Sequence, residues 1–467
     1  MKETRVDPAS FRDGANRVMV GNGEVWRCLS EEGLRNWRCL ASKDFYRRFL
    51  SLGNLVETRE IDAAPGVCRL PPGHWPGLLR HRPVRFLSYP YEWTFGMLKD
   101  AALLHLELLQ AALAEGMILK DASAFNIQWE GSRPVFIDIG SFRPYADGEP
   151  WTGYRQFCRL FLYPLMLQAY KNIAFQTLLK GSPEGIKPRD CRNMMSLRDT
   201  LRPGVLTHVR LHAAMEDRYE SQDSDVKDEL RSSGFNKSLI LKNIDGLRAI
   251  IGAMKWTPEH SSWSGYYQHN SYVEQDERMK KAFVAEAVDS RSCKLVWDLG
   301  CNRGVFSRLA AVKADYVVAM DGDAAVIEHC YGELKNNGDR SIVPLVMDFA
   351  NVSSGGGWRG LEFKALEARG RPDLVLCLAL IHHLAISANI PLAQIVDWLA
   401  DVSGALIIEF IDEADPMARR LLRNKDGGLA DYSRGYFEKL LNEAFDVQKR
   451  QELTCRTRVL YFAQAKS

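Results

Sequence analysis

Residues Leu295-Val-Trp-Asp-Leu-Gly-Cys-Asn-Arg-Gly-Val-Phe-Ser307 decide the fold. An apolar run that reads as a buried strand ends in an acid, Asp298, and two glycines four apart, Gly300 and Gly304, before a helical pattern begins. Strand, tight turn and helix N-terminus make the ligand cradle of a doubly wound α/β sheet, because residues without a Cβ let backbone approach a ligand closely. Four more apolar runs follow. Tyr316-Val-Val-Ala-Met ends at Asp321, and a third run closes at Met347-Asp348-Phe349. A fourth, Pro372 to Leu380, ends in Ile381-His382-His383-Leu384, and a fifth, Ala405-Leu-Ile-Ile-Glu-Phe, ends near Glu409. Acids and a histidine pair at successive strand ends predict a single crevice.

Each of these groups suits a nucleoside. Asp321 at a second strand's end can accept both hydroxyls of a ribose, Asp348 can meet an exocyclic amine, and Phe349 can wall a purine face. The chain here resembles the class I S-adenosylmethionine-dependent methyltransferases, whose first motif corresponds to Asp298-Leu-Gly300-Cys-Asn302-Arg-Gly304. The resemblance implies S-adenosylmethionine as cofactor. It also implies that the turn through Gly300, Asn302 and Gly304 wraps the methionine part, with Asp321 on the ribose and Asp348 and Phe349 at the adenine. The family often has a third glycine where Asn302 stands. A Rossmann-type dehydrogenase would show three glycines spaced two and three apart, and this turn has only its pair.

The tail agrees. Ser433 in Asp431-Tyr432-Ser433 can cap a helix, and Ala444-Phe-Asp-Val and Arg458-Val-Leu-Tyr-Phe-Ala read as two strands returning antiparallel. The expected fold is therefore α/β, a doubly wound sheet with an antiparallel final strand, over about residues 291 to 467. Glu409 to Met417 and Asp431-Tyr432-Ser433 also resemble bacterial nodulation-type methyltransferases.

A chain of 467 residues with 46% apolar content has room for about two to four domains. Lys plus Arg is 61 against 59 Asp plus Glu, so no bulk charge points to nucleic acid. Ten cysteines form no C-x-x-C pair, which suits free thiols in a reducing compartment and argues against a zinc site. The N-terminus lacks an apolar signal core, and the densest apolar stretches, such as Leu160 to Leu167, are far short of a bilayer span. The expected location is cytoplasmic, with no membrane partner and no metal.

The first half carries a second pattern. A leucine-rich helix over 99–117 stops at Gly116 and is followed by Lys120-Asp121-Ala-Ser-Ala-Phe-Asn126, a turn at Glu130-Gly-Ser, and Pro134-Val-Phe-Ile-Asp138-Ile-Gly140. Helix, D-x-x-x-x-N, hairpin and D-x-G in this order resemble the catalytic core of protein kinases and aminoglycoside phosphotransferases, an α+β fold. The resemblance implies that Asp121 orients an acceptor hydroxyl while Asn126 and Asp138 hold magnesium against nucleotide phosphates. Three features depart from it. Leu119-Lys120 stands where the family has His-Arg or His-Gly, and the strand-like runs Val18–Val20, Val25–Cys28 and Leu55–Val56 contain no lysine to meet the phosphates. Gly21-Asn-Gly23 is too short for a phosphate-covering loop. The region therefore reads as a degenerate, non-catalytic kinase-like module with no ATP or magnesium expected, and in the plainer account Asp121 and Asn126 are turn residues.

The chain thus divides into a kinase-like region at 1–215, a charged linker at 216–237, a helical cap at 238–290 and the methyltransferase-like region at 291–467. Within the cap, Trp263, Tyr266, Tyr267 and Tyr272 are candidates for substrate contact, since aromatic rings exclude water and stack near a sulfonium. Ordinary packing explains them equally well. At the fourth strand's end, His382 or His383 suits a general base, and Glu409 is placed to orient it or the substrate. The strand end lacks both the Asn/Asp-Pro-Pro-aromatic motif of amine methylation and a Pro-Cys pair, which lowers nucleic-acid bases as acceptors. A hydroxyl on a small molecule or glycan is the expected acceptor, and the rival readings are a bifunctional kinase and methyltransferase, a recognition scaffold in the first half, or an RNA-modifying enzyme.

Overall fold

A computed structural model describes residues 4–62, 70–219, 236–258, 274–423 and 431–466. The chain forms two compact units, the first comprising 1–129, 133–258 and 357–363 and the second 130–132, 259–356 and 364–467.

The first unit opens on an antiparallel sheet of β1 (Arg5–Val6), β2 (Asn16–Gly21), β3 (Glu24–Leu29), β4 (Thr58–Glu60) and β5 (Gly77–His81), in the order β1-β2-β3-β5-β4. β2 and β3 are joined by Asn22-Gly23, both with positive φ (49° and 73°). That is the two-residue hairpin whose twist matches the strands it links, so the Gly21-Asn-Gly23 stretch is a turn. Met19, Trp26, Cys28 and Leu78 form the core beneath the sheet. The leucine-rich helix runs Phe95–Ala114 and is capped by Thr94, whose hydroxyl accepts the Met97 N–H. The helix Lys237–Ala253 packs along it: Gln110 bonds Asp245, and Lys99 Nζ donates to the carbonyls of Gly252 and Met254. So 238–258, grouped by sequence with the cap, belongs to the first unit, whereas the helix Glu274–Asp289 belongs to the second. After the long helix come β6 (Met117–Leu119), β7 (Ile127–Glu130), β8 (Arg133–Phe136) and β9 (Phe142–Pro144), with β6 paired to β9 and β7 to β8.

The second unit is built on β10 (Leu295–Leu299), β11 (Tyr316–Asp321), β12 (Ile342–Val346), β13 (Leu374–Cys377), β14 (Ala405–Ile411), β15 (Phe445–Glu452) and β16 (Arg458–Ala465). Their order is β12-β11-β10-β13-β14-β16-β15. β10 to β14 run parallel, while β16 lies antiparallel between β14 and β15. This is the expected doubly wound sheet with an antiparallel last pair. The strand order reverses between β10 and β13, so connections leave to opposite faces there and open a crevice at the carboxyl ends of those two strands. Ser433 caps Arg434–Ala444 by accepting the Tyr436 N–H. Among the described residues no helix is long and apolar enough to cross a membrane.

Candidate active site

The turn after β10 lies at that reversal. Gly300 and Gly304 have φ of 73° and 75°, and Asn302 between them has φ of 50°. Asparagine tolerates the left-handed region better than other side-chain-bearing residues, which explains how it stands where a glycine would be easier. A Cβ on Gly304 would lie 2.9 Å from Cys330 Sγ, so this position has no room for a side chain. Asp321, ending β11, reaches across: one carboxylate oxygen accepts the Asn302 N–H and the other accepts the Asp323 N–H, each at 2.9 Å. Asp298 lies beneath the turn, fully buried, and accepts the Ser307 hydroxyl at 2.5 Å. Burial pushes its carboxyl up to about 7 and also raises that of Asp321.

The other end of the pattern is more open. Asp348 is exposed and accepts the Ala350 N–H, and the Phe349 ring stands 6.3 Å from that of Trp398. Asp298 and Asp321 therefore brace one turn, with Asp348 and Phe349 after the neighbouring strand, β12. Trp263, Tyr266, Tyr267 and Tyr272 lie outside the described residues.

Beyond β13 the chain passes through Ala379 with φ of 53°, a strained value for alanine, and delivers the histidine pair with ring centroids 4.0 Å apart. His382 is fully buried, and neither ring nitrogen has a partner among the described residues. Burial holds it well below the usual histidine range, with His383, Arg458 and Lys280 acting in the same direction. Burial likewise lowers His383 to about 4. Both are neutral imidazoles at ordinary pH, each with one nitrogen able to accept a proton.

Glu409 on β14 is the centre of a buried charge network that the sequence pattern did not reveal. Its Oε2 is 2.5 Å from Lys280 Nζ and its Oε1 is 3.6 Å from Arg458 Nη1. Arg458 also grips Asp415 through Nε and Nη2, at 2.8 and 3.2 Å, and Thr457 donates to the same carboxylate. Two cations face two carboxylates, so four charges are buried without net excess. Burial lowers the Lys280 ammonium, while Glu409 opposes that shift. The sequence did hold a signal. Lys280 shares a helical face with Asp276, Phe283, Val284 and Ala287, all buried, and Arg458 opens the apolar run Val459–Ala463.

In the first unit, Asp121 and Asp138 are close enough for Asp138 to raise the Asp121 carboxyl, after burial. The Asn126 carbonyl accepts the Ile137 N–H, which draws the two loops together. Among the described residues no group of three or more His, Cys, Asp or Glu side chains is arranged to hold a metal ion.

No protein-family model matches the chain. It is 32% identical over 460 residues to the nodulation protein NoeA of Rhizobium meliloti (strain 1021), a match that covers 97% of this chain and 94% of that protein. Among solved structures it is similar to the N-methyltransferase NodS of Bradyrhizobium japonicum WM9 in complex with S-adenosyl-L-homocysteine, at 13% identity and a TM-score of 0.33, over 44% of this chain and 93% of that one. It is also similar to WbdD, described as a bifunctional kinase-methyltransferase, at 18% identity and a TM-score of 0.30, over 43% of this chain and 42% of that one. With its sequence matched along nearly the whole length, the chain belongs to the family of the nodulation protein NoeA.

Proposed function

We propose that the second unit transfers a methyl group from S-adenosylmethionine to a hydroxyl of a small-molecule or glycan-like acceptor. The observation that carries this reading is the Asp321 carboxylate at the sheet's reversal. Its oxygens accept the Asn302 and Asp323 N–H groups, which aim the carboxylate along the loop, and a carboxylate so aimed is the acceptor that two adjacent ribose hydroxyls need. When bound, the cofactor supplies a methyl activated by a positive sulfur, open to direct displacement. The chain's own residues hold, orient and take up a proton.

The Gly300–Gly304 turn offers backbone with no side chain at its two ends, and Asp348 with Phe349 supplies an acceptor and an apolar wall for a purine. His382 and His383 present neutral ring nitrogens at the end of β13. A hydroxyl that has gained a methyl is strongly acidic, so an imidazole held as low as about 4 still takes its proton. Glu409, pinned between Lys280 and Arg458, fixes the strand beside them instead of moving protons itself.

The test is calorimetric titration with S-adenosylmethionine. Saturable binding to the native chain, lost in Gly304→Trp and Asp321→Ala, supports the reading; equal affinity in all three rejects it. We read the first unit as a kinase-like module without phosphotransfer, on the strength of its antiparallel sheet, the long helix and the two acidic loops that follow. ATP turnover that disappears in Asp138→Ala would overturn that part.

A further inference from the structure

The strand cation missing from the sequence pattern is present as an arginine, and it is already engaged. Arg27 lies on β3, nine-tenths buried, with Nη1 2.8 Å from Asp138 Oδ1 and 2.9 Å from Asn16 Oδ1. Asn16 passes the contact on, donating through Nδ2 to Asp13 Oδ2 at 2.6 Å, and Lys120 Nζ lies 3.4 Å from that oxygen. The row Asp138, Arg27, Asn16, Asp13, Lys120 thus sets two cations against two carboxylates, with Asp121 beside it.

Two neighbours fix the guanidinium in place. His81 from β5 stands behind it, with Nε2 3.4 Å from Arg27 Nε, and is itself bonded to Thr58 Oγ1 at 2.8 Å. In front, a Cβ on Gly140 would come within 2.8 Å of Asn16 Nδ2 and 3.0 Å of Arg27 Nη1. The glycine two residues after Asp138 therefore lets this side-chain pair close over the loop.

We propose that Arg27 stands in for a divalent cation at Asp138, so that the first unit takes up no metal there. Magnesium demands oxygen ligands at about 2.1 Å in near-octahedral geometry. One Asp138 oxygen, Oδ1, is held by a group that cannot lose its charge, so a fixed positive charge stands beside the carboxylate where the ion would have to bind. The magnesium implied by the kinase-like resemblance thus does not fit these residues, and no phosphoryl transfer runs through it. This inference concerns the first unit alone and stands or falls apart from methyl transfer in the second.

The experiment is a Mn²⁺ titration of the full chain followed by electron paramagnetic resonance, with Mn²⁺ alone and with Mn²⁺ plus a non-hydrolysable ATP analogue. Native chain and Asp138→Asn are expected to retain equal Mn²⁺ in both arms. Arg27→Met releases the Asp138 carboxylate beside Asp121 and is expected to retain measurably more, an excess removed in Arg27→Met/Asp138→Asn. More Mn²⁺ on the native chain than on Asp138→Asn, in either arm, overturns the proposal. That comparison does not require Arg27→Met to fold.

Discussion

Each unit holds a buried arginine against a carboxylate, and the two networks differ in how far water reaches their other members. In the second unit Lys280, Glu409, Arg458 and Asp415 are sealed, with side chains between 0% and 6% exposed. In the first, Asp138 is 20% exposed, Asp13 36% and Lys120 29%. A sealed network is a commitment: each charge depends on its partner, because nothing else can solvate it. A half-open one can lose a member and recruit water, which leaves it free to differ chemically from the pattern it resembles.

The contrast is broken most directly at Arg458. Arg458→Met leaves the buried Asp415 without its guanidinium and Glu409 with Lys280 but not Arg458, and is expected to cost about 3–5 kcal/mol in urea unfolding. A cost below about 1 kcal/mol would show that water enters. Lys280→Met is expected to be nearly as severe, and Lys280→Met/Glu409→Leu milder than Lys280→Met alone, since removing both charges removes the desolvated remnant.

Acid titration is the next largest effect. His383 is lowered from 6.5 in the unfolded chain to about 4 in the folded one. Its contribution is therefore complete above pH 6.5 and is lost as pH falls toward 4, because the unfolded chain binds the proton first. His383→Asn is expected to flatten that decline by about 1–3 kcal/mol, and an unchanged slope between these limits would refute the buried placement.

The half-open network should respond less. Arg27→Met is expected to cost about 1–2 kcal/mol, and a loss as large as that of Arg458→Met would erase the distinction. Smallest is Asp348→Ala, where an exposed carboxylate is removed: cofactor affinity is expected to fall about two- to fivefold, well short of the loss in Asp321→Ala.

Much of this was legible in the chain because glycines, caps and strand ends announce themselves locally. Gly300 and Gly304 lie in the tight turn read from the sequence, both with positive φ, Ser433 caps its helix, and the two tail strands return antiparallel. What escaped was long-range. Arg27 lies inside the lysine-free run Val25–Cys28, and only the fold shows an arginine meeting Asp138 across 111 residues. Lys280 is in phase with buried positions, yet its partner Glu409 is 129 residues further on. No local pattern encodes such a pairing, and strand order alone brings its members together. The strained Ala379 gives no signal at all, since alanine in a sequence does not announce a left-handed backbone.

The place of Arg458 on β16 has a consequence for how the crevice is made. Strands β10 to β14 and Lys280 all leave the ribosome earlier, with Glu409 and Asp415 among them, but the guanidinium that satisfies both acids arrives only with the strand that inserts between β14 and β15. Synthesis halted before residue 458 would therefore leave Asp415 without the guanidinium that grips it, Glu409 with Lys280 but not Arg458, and β14 without the strand that pairs along it, so the buried charges of the sheet balance only once that late strand has slotted in.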